Sequence, residues 1–193
     1  MAEKNKVEFG LENVHYAAVT YDELTGKATY GEVKKWPGAV ELSLEPAGDV
    51  LKFKADNIDY WTNQNNQGYE GTFTSALVPD EFATNHLGET LNKDGTVSEY
   101  ATAQSTPFAL MYQFEGDKNA TRYVLYHCVA NRAPLGSTTK DNGEPNTRAM
   151  NFTASPRPDD KLVKHKAYKD QVVYNTWFDA VVEPTPPTEQ PAG

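Results

Sequence analysis

The residue types that most often carry out chemistry in proteins are few in this chain and widely separated. The histidines are His15, His86, His127 and His165, and no two stand three or four positions apart. Since Cys128 is the single cysteine, neither an H-E-x-x-H nor a C-x-x-C metal site can be formed. The sequence also lacks a glycine-rich phosphate-binding loop and a G-x-S-x-G nucleophile elbow. We therefore expect no catalytic residues, no metal and no cofactor, and we predict that the chain is not an enzyme.

His127 and Cys128 stand side by side in an apolar run, 123–130, which leaves two interpretations. A catalytic cysteine needs a nearby base and an accessible thiolate, and a metal site needs further ligands. The apolar surroundings favour the other interpretation. In that interpretation the imidazole is a satisfied core histidine and the thiol packs as a small hydrophobic group.

The segment 59–69 combines aromatic rings with amides, and this combination could form a sugar-binding platform. Tyr60, Trp61 and Tyr69 would then stack on pyranose rings while the amides bind hydroxyl groups. We favour the simpler interpretation, a strand followed by an Asn/Gln/Gly turn. A hydrolase with a carboxylate pair is the least supported alternative, because acids adjacent in sequence point to opposite faces of a strand.

The composition excludes several classes of protein. The 193 residues carry 27 acids and 18 bases, so the formal net charge is 18 − 27 = −9, which disfavours a protein that grips nucleic acid through its phosphates. The 11 Tyr, 8 Phe and 3 Trp residues argue against disorder. No stretch approaches the roughly 20 apolar residues of a membrane helix. The first six residues lack the apolar run of a signal peptide, and a single cysteine suits a reducing compartment.

Three runs alternate between apolar and polar residues with a period of two, which is typical of antiparallel strands that bury one face. The runs are 39–45, 69–75 and 149–155. In the first of them we expect Val40, Leu42 and Leu44 to face the core. The polar side chains of the first two runs are Glu41, Ser43, Glu45, Glu70, Thr72 and Thr74.

Other segments complete the predicted elements. The apolar runs 108–114 and 123–130 and the turn between them predict a central hairpin, and residues 172–182 are predicted to be extended. A helix is predicted after Val78, with Pro79 at its first position and Gly88 ending it. Its Phe82 and Leu87 are expected to face the sheet.

These elements predict a mainly β fold, an antiparallel β-sandwich or barrel with one flanking α-helix. We assign residues 1–182 to one domain. Residues 183–193 hold four prolines and are expected to be a disordered tail.

Charge is distributed unevenly along the chain. Residues 55–92 contain six acids and no lysine or arginine. A basic cluster follows later, formed by Arg157, Lys161, Lys164, Lys166 and Lys169. Such polarity suits self-association of an acidic face with a basic face, although a merely solvated surface would show the same pattern.

Six short motifs are spread along most of the chain. The opening run, residues 7–17 (VEFGLENVHYA), is one of them. The others are PGAVELSLEP at 37–46, GYEG at 68–71, ALVPDEF at 76–82, YVLY at 123–126 and FTASPRPDD at 152–160. Together these motifs resemble those of phage major tail proteins of the phi13 type, and the resemblance extends over residues 6–182.

The resemblance implies a structural virion protein, the major tube subunit of a long-tailed, non-contractile phage. Such subunits form hexameric rings that stack into the conduit for genome ejection. The implied partners are copies of the chain itself and the tape measure, tail terminator and distal tail proteins, with DNA as transiting cargo and no membrane. The implied location is the virion tail, assembled in the host cytoplasm. A secretion-tube protein of similar architecture and a carbohydrate-binding β-sandwich module remain the alternatives.

Two expectations follow for individual residues. Glu41, Ser43, Glu45, Glu70, Thr72 and Thr74 are expected to line the lumen, where carboxylates would repel DNA phosphates. The loop 21–36 and the basic cluster are expected to contact neighbouring subunits.

Overall fold

The computed structural model describes residues 10–116, 120–137 and 146–185. The predicted turn at 141–145 and most of the Pro-rich segment therefore lie outside the described residues. The elements in these ranges are β1 (Leu11–Tyr21), β2 (Ala28–Tyr30), β3 (Lys34–Lys35), β4 (Ala39–Ala47), β5 (Val50–Ala55), β6 (Ile58–Gln64), β7 (Gly68–Ser75), α1 (Asp80–His86), β8 (Thr90–Leu91), β9 (Val97–Ser98), β10 (Phe108–Phe114), β11 (Arg122–Ala130), β12 (Arg148–Ala154) and β13 (Lys164–Ala167).

One antiparallel sheet organises the molecule. Its strand order is β2-β1-β10-β11-β12-β7-β4, with β13 beside β11 and β3 beside β1. The predicted central hairpin is confirmed as β10 and β11, which pair along most of their length. Over the described ranges the fold is mainly β with one α-helix, as predicted, and the sheet does not close into a barrel.

Apolar side chains cover the two faces of this sheet differently. On one face a continuous inner core runs from β1 to β4 and includes Tyr16, Trp36, Phe73, Phe82 and Phe152. On the other face a smaller outer core lies over β1, β2, β10, β11 and β13. The outward face of β4, β7 and β12 is polar, because over most of each strand polar, more exposed residues alternate with less exposed ones.

The predicted helix is confirmed, with a shift of one residue at its start. Pro79 is the N-cap with extended backbone rather than the first helical residue. Phe82 and Leu87 are both buried against the inner core, as expected. Gly88 follows the helix at φ +79°, and a Cβ there would lie 2.8 Å from the backbone of Gln104, so this position requires glycine.

The prediction that residues 172–182 are extended is wrong. Val172–Tyr174 form a 3-10 turn, and further turns continue to residue 179. Tyr174 and Trp177 stand three positions apart, and both are buried in the outer core. A strand would point them to opposite faces, whereas a helical turn places both on one side.

The predicted domain boundary at residue 182 falls within a packed segment. The Tyr126 hydroxyl donates a hydrogen bond to the Val182 carbonyl at 2.5 Å. Arg157 binds the Glu183 carboxylate at 2.6 Å. The first residue assigned to the tail is thus held against the body of the molecule.

Candidate functional site

The six polar residues predicted for β4 and β7 lie on one exposed face. In the antiparallel register Glu41 lies opposite Thr74, Ser43 opposite Thr72, and Glu45 opposite Glu70. All six are exposed or half-exposed. We call this surface, together with the outward residues of β12, the acidic face.

Buried residues on the other side of the same strands fix the acidic face in position. Leu42, Leu44 and Phe73 pack on the inner core. Gly71 lies beneath Phe152, and a Cβ at Gly71 would come within 2.4 Å of Phe152 Cζ. Because the side-chain period of a strand is two, this inward packing forces the intervening residues outward.

The prediction that Val40 faces the core is wrong. A β-bulge between Ala39 and Glu41 makes Val40 the extra residue of β4, and its side chain is 55% exposed. Ala39 packs against the inner core in its place. The regular alternation that carries Glu41 and Glu45 outward begins after this bulge.

The acidic face is concave and polar. A cavity of about 440 Å³ lies over the centre of these strands. Its described lining residues are Ser43, Glu45, Glu70, Gly71, Thr72, Asn131, Asn151, Phe152 and Thr153, and they include two carboxylates and no cationic side chain. Thr72 donates a hydrogen bond to Asn151 Oδ1 at 2.9 Å, which ties β7 to β12 across the face.

A second surface, the hairpin formed by β5 and β6, was not anticipated from the sequence. We call residues 50–64 the arm. Its large apolar side chains are each 50–67% exposed: Val50, Leu51, Phe53, Ile58, Tyr60 and Trp61. Phe53 lies directly opposite Trp61 across the pair. The sequence signal was the Asp56-Asn57 turn between two apolar runs, since both residues adopt positive φ as a tight hairpin turn requires.

The arm extends the β4–β7 ribbon away from the body. The ladder continues through hydrogen bonds from Gln67 N to Ala47 O at 3.0 Å and from Asn65 N to Asp49 O at 3.1 Å. With about 3.3 Å per residue, the six residues of β5 carry its tip roughly 20 Å beyond the sheet.

A partly apolar groove lies at the opposite end of the same ribbon. Its volume is about 530 Å³. It is formed around Pro37 and Gly38, which precede β4, and around Leu77 and Pro79, which follow β7. Leu77 is strongly exposed there. About eight residues of strand separate this groove from the base of the arm, or roughly 26 Å.

The structure separates the aromatic residues considered for sugar binding. Trp61 lies on the arm beside Phe53, whereas Tyr69 lies in the body. The Lys164 ammonium donates a hydrogen bond to the Tyr69 hydroxyl at 2.8 Å. The favoured interpretation of this segment, a strand followed by a turn, is confirmed by β6 and the loop after it.

The basic cluster divides into one buried and four exposed residues. Lys161, Lys164, Lys166 and Lys169 are exposed. Arg157 is only 4% exposed and binds three carboxylates and the Tyr30 hydroxyl within its own chain, so its guanidinium is not presented to a neighbouring subunit. The hydrogen bond from Arg157 lowers the pKa of Asp160 to about 2.

Cys128 and His127 are held within the fold by packing and by a hydrogen bond, respectively. Cys128 is fully buried in the inner core, and burial raises the pKa of its thiol. His127 lies with Nδ1 2.6 Å from the Tyr21 hydroxyl, and burial lowers its pKa. Among the described residues no group of three or more His, Cys, Asp or Glu side chains is placed to hold a metal ion.

No helix in the described part of the chain is both long and apolar enough to cross a bilayer.

Comparison with known proteins gives only a distant likeness. No protein-family model and no curated protein matches the chain. One similar solved structure is the tube-terminating cap of the anti-feeding prophage, with 10% identity, a TM-score of 0.47 and coverage of 87% of this chain and 97% of that one. Another is a chain of the anti-feeding prophage baseplate, with 8% identity, a TM-score of 0.45 and coverage of 88% and 99%. At these values the likeness carries no argument about function.

Proposed function

We propose that this chain is a non-enzymatic structural protein, the tube subunit of a phage tail. In this proposal copies of the chain form hexameric rings that stack into a conduit for DNA. The virion tail is its location after assembly in the host cytoplasm. The tape measure, tail terminator and distal tail proteins are its partners beyond self-association.

The observation that carries the proposal is the placement of the arm and the groove at opposite ends of one ribbon. Large apolar side chains left exposed on a protruding hairpin are typical of an interaction surface. Because the groove lies roughly 26 Å from the base of the arm and on the far side of the body, the arm is not placed to fill the groove of its own chain.

An arm that docks in the groove of a second copy leaves that copy's own arm free. Such a head-to-tail contact is heterologous, so it generates an open polymer rather than a closed dimer. Repetition along the β4–β7 direction would stack copies end to end, as a tube requires.

The acidic face gives the proposed tube a suitable lining. Glu41, Glu45 and Glu70 point outward from the sheet on a face rich in hydroxyl and amide groups. Repeated around a ring, these carboxylates would repel DNA phosphates, whereas a basic lining would bind them through counterion release.

Contacts between neighbours within a ring are proposed for the exposed lysines of the basic cluster. Lys164 and Lys166 stand two positions apart on β13, so their side chains lie on the same exposed face. Arg157 is not included, since it is buried and fully engaged in its own chain. The loop 21–36 contributes its exposed tip around Leu24.

The experiment that tests the role of the arm is sedimentation velocity of the full chain as a function of concentration. The wild type is expected to form large assemblies, and Trp61→Ser is expected to remain small while retaining the wild-type circular dichroism spectrum. Leu135→Ser is the matched control, since it replaces an exposed apolar residue outside the arm and outside the proposed subunit contacts. Equal assembly of wild type and Trp61→Ser would contradict the role of the arm.

A further inference from the structure

The register of the arm gives it one apolar side and one polar side. In an antiparallel pair, directly opposite residues point to the same side, and successive residues alternate between the two sides. The opposite pairs on the apolar side are Leu51 and Asn63, Phe53 and Trp61, and Ala55 and Ile58. Those on the polar side are Val50 and Gln64, Lys52 and Thr62, and Lys54 and Asp59. The arm is therefore an amphipathic hairpin.

A β-bulge near the tip of the arm separates charged from apolar groups. The register shifts by one residue there, which leaves Tyr60 as the extra residue of β6. Without this shift Asp59 would lie opposite Ala55, on the apolar side. Instead its carboxylate accepts a hydrogen bond from Lys52 Nζ at 3.0 Å. The bulge thus keeps both charged groups of this pair on the polar side.

The two outer edges of the arm are poorly suited to pairing with another strand. Among the described residues β5 and β6 pair only with each other, so each has an outer edge outside any ladder. Lys52 and Lys54 stand on β5, and the bulge at Tyr60 interrupts β6. Lysines and bulges on edge strands discourage strand addition. The arm is therefore suited to docking through its side chains rather than through its backbone.

We propose that the arm docks through its apolar side alone, with Phe53 and Trp61 packed in the groove of a second copy and the polar side left in water. This inference rests on the proposed function and specifies the contact within it. The ion pair between Lys52 and Asp59 then remains solvated, so neither of its charges has to be desolvated on docking.

The size of the apolar side favours the groove over a second arm as its partner. Four large side chains, each 50–62% exposed, dominate this side: Leu51, Phe53, Ile58 and Trp61. Together they offer on the order of 400 Å², about half of the roughly 800 Å² per partner that a stable interface buries. Two arms packed flat on each other would therefore fall short of a stable dimer. The concave groove of about 530 Å³, with its exposed Leu77, would enclose the same side chains on more than one side.

The test is sedimentation velocity of the full chain over a concentration series, with matched substitutions on the two sides of the arm. Leu51→Lys places a charge on the apolar side, and we expect the concentration of half-maximal assembly to rise about tenfold or more. Val50→Lys makes the same change on the polar side and should shift that concentration by less than about twofold. The two residues are 50% and 52% exposed, so they differ in side and not in exposure. Both variants should keep the wild-type circular dichroism spectrum.

Mixing two variants identifies the partner surface. Trp61→Ser keeps an intact groove, and Leu77→Ser, at a residue that is 70% exposed, keeps an intact arm. Each is expected to assemble poorly alone, whereas an equimolar mixture is expected to form pairs through one arm and one groove. Assembly of Leu77→Ser to the wild-type extent would show contact between arms and would overturn the proposal.

The outcomes separate this inference from the proposed function. Equal losses in Leu51→Lys and Val50→Lys would indicate strand addition or a contact through both sides, and they would overturn the one-sided contact while self-assembly stands. A larger loss in Val50→Lys would overturn the assignment of the docking side. A wild type that stays a single subunit at every concentration would instead overturn the proposed function, and this inference with it.

Discussion

Glu45 lies directly opposite Glu70 across the β4–β7 pair, with both side chains on the acidic face. Like charges in register between strands are destabilising. Their arrangement is therefore unfavourable for the isolated fold. In the proposed tube, the same two charges would contribute to a lining that repels DNA.

We expect Glu70→Gln to stabilise the isolated subunit, because it removes one charge of this pair. The gain in the free energy of unfolding should be about 0.2–1 kcal/mol and should shrink as salt is added. Urea denaturation at low and high ionic strength measures it. Glu41→Gln is the control, since Glu41 lies opposite Thr74, and an equal gain there would argue against pairwise repulsion.

Gly71 is expected to tolerate no side chain. A Cβ at this position would lie 2.4 Å from Phe152 Cζ and 3.0 Å from Leu44 Cδ2, so Gly71→Ala forces buried side chains apart. Overpacking of this kind costs about 1–3 kcal/mol in the free energy of unfolding. Gly136→Ala is the matched control, since nothing lies within 4 Å of its Cβ position. Equal stability of the two variants would refute the packing described for β7.

Arg157 is expected to hold the C-terminal segment 172–185 and the 157–160 turn together. Arg157→Leu leaves Asp160 and Glu183 without their partner and should cost about 3 kcal/mol, at the low end for a buried ion pair because both carboxylates are half-exposed. Thermal denaturation measures the loss. Lys169→Leu, at an exposed position, should change stability little, and similar losses in both variants would contradict the assignment.

The same ion pair predicts a pH dependence. The pKa of Asp160 is lowered to about 2, so its contribution to stability is present above its ordinary pKa of 3.8 and is lost as pH falls through 2. The free energy of unfolding should therefore depend less on pH between about pH 5 and about pH 2 in Arg157→Leu than in the wild type. An unchanged pH profile would show that Asp160 does not depend on Arg157.

Much of the fold could be predicted from local patterns in the sequence. The period-two runs identified β4, β7 and β12 and their polar side chains, and the doubly apolar runs identified β10 and β11. Val40 escaped prediction because a bulge depends on the partner strand rather than on the run itself. The turns of segment 172–179 escaped prediction because two valines favour a strand locally, whereas the helical turn there places Tyr174 and Trp177 on one tertiary surface.

The charge of a residue was a poorer guide to whether its side chain is exposed than the period-two pattern of its strand. Arg157 belongs to a basic cluster in the sequence, yet its three acidic partners include Glu183, 26 positions away. Such pairing is set by tertiary structure and cannot be read from composition. In the arm, the turn residues Asp56 and Asn57 can be recognised in the sequence. Nothing in these residues indicates that the hairpin protrudes from the body of the molecule.

Charge reversal in the basic cluster should weaken assembly at low salt. Lys164→Glu places a carboxylate on the exposed face of β13, and we expect a lower yield of assembled material by sedimentation, with the difference diminishing at high ionic strength. Lys93→Glu, outside the cluster, serves as the matched control. Equal yields of the two variants would count against contacts between neighbours through this strand.

The most direct test of the proposed tube is negative-stain electron microscopy of the concentrated full chain beside Trp61→Ser. We predict hollow rings or tubes for the wild type. The Trp61→Ser variant should show no tubes. Wild-type particles that remain single subunits at every concentration, or tubes that form equally well without the Trp61 ring, would contradict the account.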